Sequence, residues 1–173
     1  MSQQEREESR DVMSPEGFST FYRAYLATVY GYLHRLTAGD RSLAEDLTQD
    51  TFVLLTRELR RGRLECADVR WLLTVARSRF VDHVRREARF NRKLRLVAGG
   101  LDNDATADEP DRSDVLHNLH SVDPIHRVVL MMRYVDGLAV TEIARTIGRS
   151  VTATHSLLAR AREQMRRMAR GPA

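Results

Sequence analysis

Residues Ala139–Arg167 read AVTEIARTIGRSVTATHSLLARAREQMRR, a short helical pattern and a longer one separated by Gly148. Ile143 and Ile147 recur at helical spacing before the glycine, and Ser150 after it is a typical helix N-cap. This is the layout of a helix-turn-helix, whose second helix places its N-terminal residues against base edges in the major groove. An ordinary helical hairpin with a polar outer face has the same pattern, so the pattern alone leaves both readings open.

A further helix is predicted directly upstream. Asp123 followed by Pro124 gives an N-cap and a proline at the first helical position, and the apolar pattern that follows stops near Gly137. A short helix is expected around residues 115–119. The C-terminal residues 115–170 are therefore predicted to form one small helical module.

The N-terminal half has the same kind of patterning. Apolar residues from Phe18 onward recur at three- and four-residue steps, as one face of a helix requires. Ser42 with Glu45 is a capping-box signature that predicts the start of a second helix. A loop at residues 61–68 precedes a third, long helix from Val69. Three helices are thus predicted for this half.

The local composition indicates where the two helical modules begin and end. The chain has 42% hydrophobic and only 6% aromatic residues, which favours helices over a strand-rich sandwich or barrel. Residues 1–14 are charged and aperiodic, typical of a disordered tail, and residues 97–114 are rich in Gly and Asp, typical of a flexible acidic linker. We predict an all-α protein with two small helical modules, at residues 15–96 and 115–170.

The positive charge is almost entirely arginine, since Lys93 is the only lysine in a chain of net charge +4. Guanidinium groups bind phosphates and guanine edges bidentately, which suits nucleic acid, although a GC-rich genome produces the same bias. The basic residues gather in two stretches, Arg77–Arg95 and Arg145–Arg170. Two separated basic stretches indicate two contacts with one polyanion.

Several classes of protein find no support in the sequence. No stretch reaches the roughly 20 apolar residues of a membrane span, and no signal core is present, so we expect a cytoplasmic protein that does not contact a membrane. Cys66 is the only cysteine, and His117 and His120 are spaced like ligands but lack a third. No phosphate-binding glycine loop or catalytic triad pattern occurs. We therefore expect no enzyme activity, no cofactor and no metal.

Four motifs occur in order along the chain, and together they resemble the extracytoplasmic-function (ECF, group IV) sigma factors of the sigma-70 family. The motifs are AEDLTQDTF (Ala44–Phe52), WLLTVARSRFVDHVRR (Trp71–Arg86), VVLMMRYVDGLAVTEIARTIG (Val128–Gly148) and SVTATHSLLARAREQMRR (Ser150–Arg167). The resemblance implies a sigma-2-like and a sigma-4-like module that bind core RNA polymerase and direct promoter-specific initiation. The alternative is a stand-alone helix-turn-helix regulator that binds duplex DNA without polymerase.

The resemblance also implies protein partners. Asp46, Gln49 and Asp50 would bind the clamp helices of the largest polymerase subunit. The sigma-4-like module would hold the flap of the second-largest subunit through apolar residues that the sequence does not identify. An anti-sigma factor that wedges between the modules is expected as well.

Two sets of DNA-binding residues follow from the same resemblance. Those expected to capture the melted non-template strand of the −10 element are Arg61, Arg63, Arg77, Ser78, Arg85 and Arg86. Those expected to bind the −35 duplex are Arg149, Ser150, Thr152, Thr154, His155, Ser156 and Arg160. Trp71, at the start of the third helix, is either a stacking platform or a core residue.

Some positions depart from the usual family pattern. Ser78 stands where asparagine is frequent, which puts the preferred −10 base in doubt. Leu157 stands where arginine is common, which implies weaker phosphate anchoring. Ala139 replaces the usual serine cap of the first helix of the helix-turn-helix, a loss of about 1 kcal/mol unless Thr141 supplies the cap.

Overall fold

A computed structural model describes residues 14–63, 67–97 and 122–170. These ranges contain six α-helices and no strand, in agreement with the predicted all-α fold. The helices are α1 (Pro15–Leu36), α2 (Arg41–Arg60), α3 (Val69–Val97), α4 (Pro124–Tyr134), α5 (Val140–Ile147) and α6 (Val151–Arg170). The predicted linker beyond Val97, the helix at 115–119 and residues 1–13 of the predicted tail lie outside the described residues.

The chain divides into two compact units, Met1–Phe80 and Val81–Ala173. Helix α3 runs continuously through the point of division. The module bounds inferred from the sequence, 15–96 and 115–170, therefore stay a prediction.

In the first unit, α1 and α2 pack against each other through an aromatic contact. The rings of Tyr22 and Phe52 meet edge to face with their centroids 4.7 Å apart. Ser14, the last residue of the predicted tail, is the N-cap of α1, because its Oγ accepts a hydrogen bond from Gly17 N at 2.9 Å. Val29 and Leu33 of α1 are fully buried.

The predicted start of α2 is wrong by two residues. Asp40 caps the helix, since its Oδ1 accepts a hydrogen bond from Leu43 N at 3.0 Å. Ser42 and Glu45 lie exposed within the helix and form no capping box. Aspartate is as good an N-cap as serine, so the sequence offered two starts and the helix uses the earlier one.

In the second unit, α4, α5 and α6 share one apolar core. Asp123 caps α4 as predicted, accepting from Ile125 N at 2.9 Å, with Pro124 in the first turn. The fully or almost fully buried side chains include Val128, Val129, Met132, Ile143, Ile147, Leu158 and Ala161. Gly148 ends α5 in the left-handed region (φ 60°, ψ 43°), which a residue with a Cβ adopts only at a cost.

The first turn of α5 lacks half of its cap. Ala139 occupies the N-cap position with extended backbone (φ −67°, ψ 151°) and offers no side-chain acceptor. Glu142 supplies the reciprocal half, because its Oε2 accepts from Ala139 N at 2.8 Å. Thr141 lies within the helix and does not cap it.

Replacing Ala139 by serine should therefore complete the capping box. We expect Ala139→Ser to raise the free energy of unfolding by about 1 kcal/mol, measured by urea denaturation. Thr141→Ser is the control. Position 141 is the second residue of the helix and not its N-cap, so this substitution should give no such gain. A destabilised Ala139→Ser variant would show that the cap geometry is wrong.

Candidate nucleic-acid and polymerase interfaces

One face of α6 presents polar side chains to solvent. Thr152, His155, Ser156 and Arg160 are all exposed and follow one another at helical spacing, so they line one face. Ser150 caps the helix as predicted, its Oγ accepting from Ala153 N at 3.1 Å. The N-terminal turns of a recognition helix are the part that reaches base edges, and here they carry hydroxyl, imidazole and guanidinium groups.

Thr154, which the sequence predicted as a DNA contact, does not belong to this face and is buried in the structure. Its side chain is 0% exposed, and its Oγ1 donates a hydrogen bond to Ser150 O at 2.9 Å. Leu157 is also buried, at 2% exposure, so it is a core residue and not a missing phosphate contact. The exposed Arg149 stands just before this polar face in the chain, and Arg160 is its last residue.

A buried hydroxyl cannot read DNA, so Thr154→Val should leave binding of the −35 duplex unchanged. The matched control is Thr152→Val, which removes an exposed hydroxyl from the same helix and should weaken that binding. Both are measured by fluorescence anisotropy of a labelled −35 duplex with the polymerase-bound protein. If Thr154→Val weakened binding while the thermal unfolding midpoint stayed constant, the assignment of Thr154 to the core would fail.

The residues predicted to hold the −10 strand differ in exposure. Arg77 is buried, at 6% exposure, with Nη2 donating to Thr74 Oγ1 at 3.3 Å, so it is not available as a surface phosphate contact. Ser78 is exposed, and its hydroxyl donates to Thr74 O at 2.9 Å. Trp71 is half-buried. Of the two neighbouring predicted residues Arg77 and Ser78, only Ser78 is exposed.

The other predicted −10 residues are exposed or half-buried arginines, and three of them form weak ion pairs. Arg61 and Arg63 lie 3.5 and 3.8 Å from the carboxylate of Glu58. Arg85 lies 3.5 Å from Asp82, and the Nε of the neighbouring Arg86 donates to Asp82 O at 3.4 Å. Exposed pairs of this kind contribute about 1 kcal/mol or less, so a phosphate can displace them at little cost.

The predicted polymerase-binding residues share an outer face of α2. Asp46, Gln49 and Asp50 are exposed, while Leu47 and Phe52 on the other side are buried. The spacing of four residues between the two carboxylates places them one helical turn apart. The exposed carboxylates of Asp46 and Asp50 therefore form an acidic row on the outer face of α2.

A groove lies beside this acidic row, between α1 and α2. It encloses about 440 Å³ and is lined on the α1 side by Tyr22, Leu26 and Tyr30, and on the α2 side by Glu45 and Gln49. Tyr22 and Tyr30 are only half-buried, which leaves part of each ring facing the groove.

A second groove, which the sequence did not predict, lies between α4 and α6. It encloses about 390 Å³ and includes Leu130, Met131, Tyr134, Val135 and Met165 in its lining. Tyr134 and Val135 are each 61% exposed. The sequence signal was present, because Tyr134 and Val135 stand at the C-terminal end of α4, whose inward face is already complete.

Arg127 contributes a buried positive charge to this groove. It is 5% exposed, and its Nη2 donates to Val122 O at 3.0 Å. Burial lowers the pKa of Arg127 to about 10, against the opposing effect of Asp123, so the side chain stays protonated at neutral pH. Arg162 and Arg166 lie on the α6 side of the same groove. The groove is thus apolar inside and positive at its edge.

Comparison with protein families matches two regions of the chain. Residues 21–90 match the model of Sigma-70 region 2, and residues 116–165 match that of Sigma-70 region 4. The chain is 32% identical over 137 residues to the ECF RNA polymerase sigma factor SigK of Mycolicibacterium vanbaalenii, with 75% of this chain and 69% of SigK covered. It is 30% identical to the ECF sigma factor BldN of Streptomyces coelicolor over 88% of this chain.

Regions 2 and 4 in this order define a protein of the sigma-70 type. The chain belongs to the ECF sigma factors of the sigma-70 family of RNA polymerase. It spans 60% of the length of BldN and 58% of that of SigE from Mycolicibacterium smegmatis.

A solved structure supports the fold. The sigma factor RpoE from Bartonella quintana, in complex with the anti-sigma factor NepR, matches with a TM-score of 0.56 at 18% identity. The match covers 90% of this chain and 98% of RpoE. Among the described helices none is long and apolar enough to cross a membrane, and the described side chains form no cluster suited to a metal ion.

Proposed function

We propose that this chain binds core RNA polymerase and directs promoter-specific initiation, recognising the −35 duplex with α6 and capturing the melted −10 non-template strand with α3 and the loop before it. The observation that carries the proposal is the exposed polar face of α6, held on an apolar core behind a glycine turn. Family membership supports the same conclusion. The site of action is the cytoplasm, where polymerase and promoter DNA meet.

At the −35 element, α6 would lie in the major groove. Arg160 can donate two hydrogen bonds to a guanine edge, and Thr152 and Ser156 can donate to or accept from base edges. His155 adds a ring with a donor and an acceptor when neutral. Arg149, exposed before the helix, would bind a phosphate and so fix the position of α6 along the duplex.

At the −10 element, the proposed mechanism is capture of a strand. An unpaired strand that binds more tightly than duplex DNA shifts the melting equilibrium toward the open form. Exposed Ser78 and Arg86, with Arg61 and Arg63 before α3, would hold bases and phosphates. Such a mechanism needs no covalent step, so we propose that the chain acts by binding and is not an enzyme.

On the polymerase, the acidic row Asp46 and Asp50 would bind basic side chains of the clamp helices of the largest subunit. The apolar groove between α4 and α6 would receive the flap of the second-largest subunit, with Tyr134 and Val135 as its exposed apolar contacts. RpoE was solved with an anti-sigma factor, and we extend the proposal to a partner of that kind for this chain.

The groove assignment can be tested by removing the ring of Tyr134. Tyr134→Ser should lower run-off transcription from a −35-dependent promoter by roughly thirtyfold, because truncating a hot-spot tyrosine at an interface costs about 2 kcal/mol. Tyr134→Phe, which keeps the ring, should stay near wild type. Both variants should still bind core polymerase through region 2. Equal transcription by Tyr134→Ser and wild type would remove the groove from the flap interface.

A gel-shift experiment separates the proposal from a stand-alone regulator. The chain alone, core polymerase alone and the two together are each mixed with promoter fragments from its own upstream region. The proposal expects a specific complex only when both proteins are present. Specific binding of duplex DNA by the chain alone, unaffected by core polymerase, would favour the regulator and overturn the proposal.

A further inference from the structure

His155 is the one titratable side chain on the polar face of α6 whose charge can change near neutral pH. Histidine is the residue that gains or loses a proton between about pH 5 and 8. The side chain of His155 is exposed, and it forms no hydrogen bond, salt bridge or ring contact with any residue that the structure describes. Its ring can therefore take up a proton from solvent and bind a ligand without breaking a contact within the protein.

His155 lies at the edge of the polar face of α6 and not in its middle. At about 100° of rotation per residue, the exposed Thr152, Ser156 and Ala159 fall within about 60° of one another. His155 lies about 40° to one side of Ala159, and the buried Leu158 follows about 60° further in the same direction. In a major groove the middle of such a face meets base edges, whereas its side meets the sugar-phosphate wall. This position favours a phosphate as the partner of His155.

The charged groups near His155 on its own helix are mainly cations. The nearest of them in the chain are Arg149, Arg160 and Arg162. The first acid after His155 is Glu163, about two turns further on, and its carboxylate already pairs with Arg166 at 3.5 Å. A ring in these surroundings gains little from a proton until an anion is bound beside it.

Helices α4 and α5, which pack against α6, do not supply an acid for His155 either. Glu142 of α5 accepts a hydrogen bond from Ala139 N at 2.8 Å, and Asp123 accepts one from Ile125 N at 2.9 Å, so both act as helix caps. The other charged or titratable groups on these two helices and the loop between them are His126, Arg127, Arg133, Tyr134, Asp136 and Arg145. None of them forms an ion pair with His155.

We propose that His155 makes binding of the −35 duplex depend on pH, because its ring takes up a proton when α6 binds and then donates a charge-assisted hydrogen bond to a DNA phosphate. The inference rests on the proposed function and names a regulation of the same site. A phosphate beside an imidazole stabilises the protonated form. Since binding takes up a proton, affinity for the duplex rises as the pH falls. Initiation directed by this chain would thus strengthen in an acidified cytoplasm.

Two substitutions imitate the two charge states of the ring. His155→Arg keeps a positive charge at every pH, and His155→Gln keeps hydrogen-bonding groups without a charge. The control is His126→Gln, which removes a histidine from the same part of the chain. The Nδ1 of His126 lies 2.6 Å from Gln164 Oε1, so this ring bonds to α6 instead of lying free on its polar face. Circular dichroism checks that each variant is folded.

The measurement is the affinity of each protein, bound to core polymerase, for a labelled −35 duplex. Titrations are carried out at about pH 6 and about pH 8, on either side of the range in which histidine titrates, and at several salt concentrations. The dependence of log K on log salt counts the phosphates that the protein neutralises, at about 0.9 per phosphate. Affinity and salt dependence together show whether a proton and a phosphate contact are gained in one step.

We expect wild type to bind roughly fivefold more tightly at about pH 6 than at about pH 8, the size expected of one exposed ion pair. His155→Arg should bind tightly and His155→Gln weakly at both pH values, and His126→Gln should follow wild type. The wild-type salt dependence should match that of His155→Arg at the lower pH and that of His155→Gln at the higher pH.

Three results would overturn the proposal. The first is the same pH dependence in wild type and His155→Gln, and the second is its loss in His126→Gln. The third is a wild-type salt dependence that does not change with pH, which would mean that His155 contacts no phosphate.

Failure of this inference is distinguishable from failure of the proposed function. If wild type bound to core polymerase shows no specific binding of the −35 duplex at either pH, the proposed function fails and the role of His155 falls with it. If binding is specific but independent of the charge at position 155, the proposed function stands and the pH dependence alone is wrong.

Discussion

Reversing the charges of Asp46 and Asp50 to arginine is expected to lower the affinity of the chain for core RNA polymerase by about a hundredfold or more. Both carboxylates are exposed on one face of α2 and one turn apart, so both can meet the same basic surface. Placing like charges opposite each other at an interface costs several kcal/mol. Affinity is measured by titrating labelled chain with core enzyme, and the loss should be reflected in run-off transcription.

The control for this pair is Glu87→Arg on α3, which also changes an exposed acid to a base but lies outside the proposed clamp-binding face. It should leave core binding unchanged. Because Asp46 and Asp50 are exposed and make no salt bridge with a described residue, their replacement should not unfold the protein. Core binding at wild-type strength by the doubly reversed variant would remove α2 from the polymerase interface.

Removing Arg160 and Ser156 together is expected to abolish most of the dependence on the −35 element. A good bidentate contact to a base edge contributes about 1 to 3 kcal/mol, so loss of the Arg160 contact alone should lower transcription from a −35-dependent promoter by roughly five- to 150-fold, and loss of the Ser156 hydroxyl should add to this. Both side chains are exposed on the face of α6 that follows the Ser150 cap. Transcription is compared with that from a promoter whose −35 sequence is scrambled.

Two matched variants show whether Arg160 reads a base or only attracts phosphate. Arg160→Lys keeps the charge but cannot form two parallel hydrogen bonds. If Arg160 reads a base, transcription with this variant should be as low as with Arg160→Ala. If Arg160 only binds a phosphate, transcription should stay near wild type. Arg167→Ala removes an arginine seven residues further along, already paired with Glu163 at 3.6 Å, and should have little effect. Equal −35 dependence in the double alanine variant and wild type would contradict the placement of α6.

Features set by local sequence were predicted well. Asp123, Gly148 and Ser150 all act as caps or turns where the sequence placed them, because each uses only backbone groups within a few residues. Helix α2 shows the limit of such signals. Asp40 and Ser42 cap a helix equally well and stand two residues apart, and the helix begins after Asp40.

Exposure of individual side chains could not be predicted, because it depends on which helices pack together. Thr154 lies in α6 but points away from the polar face of that helix. Its short side chain can be buried there because its hydroxyl donates a hydrogen bond to a carbonyl of the preceding turn. Arg77 is buried for the same kind of reason despite its charge. The groove between α4 and α6 needs both helices, so no single segment of sequence reveals it.

Run-off transcription with purified core enzyme shows whether this chain gives core RNA polymerase its promoter specificity. Templates are genomic fragments that include the upstream region of the protein's own coding sequence. We expect discrete starts that appear only when the chain is added and that are lost with the Arg160 and Ser156 double alanine variant. The absence of any chain-dependent start, although the chain binds core polymerase, would contradict this expectation.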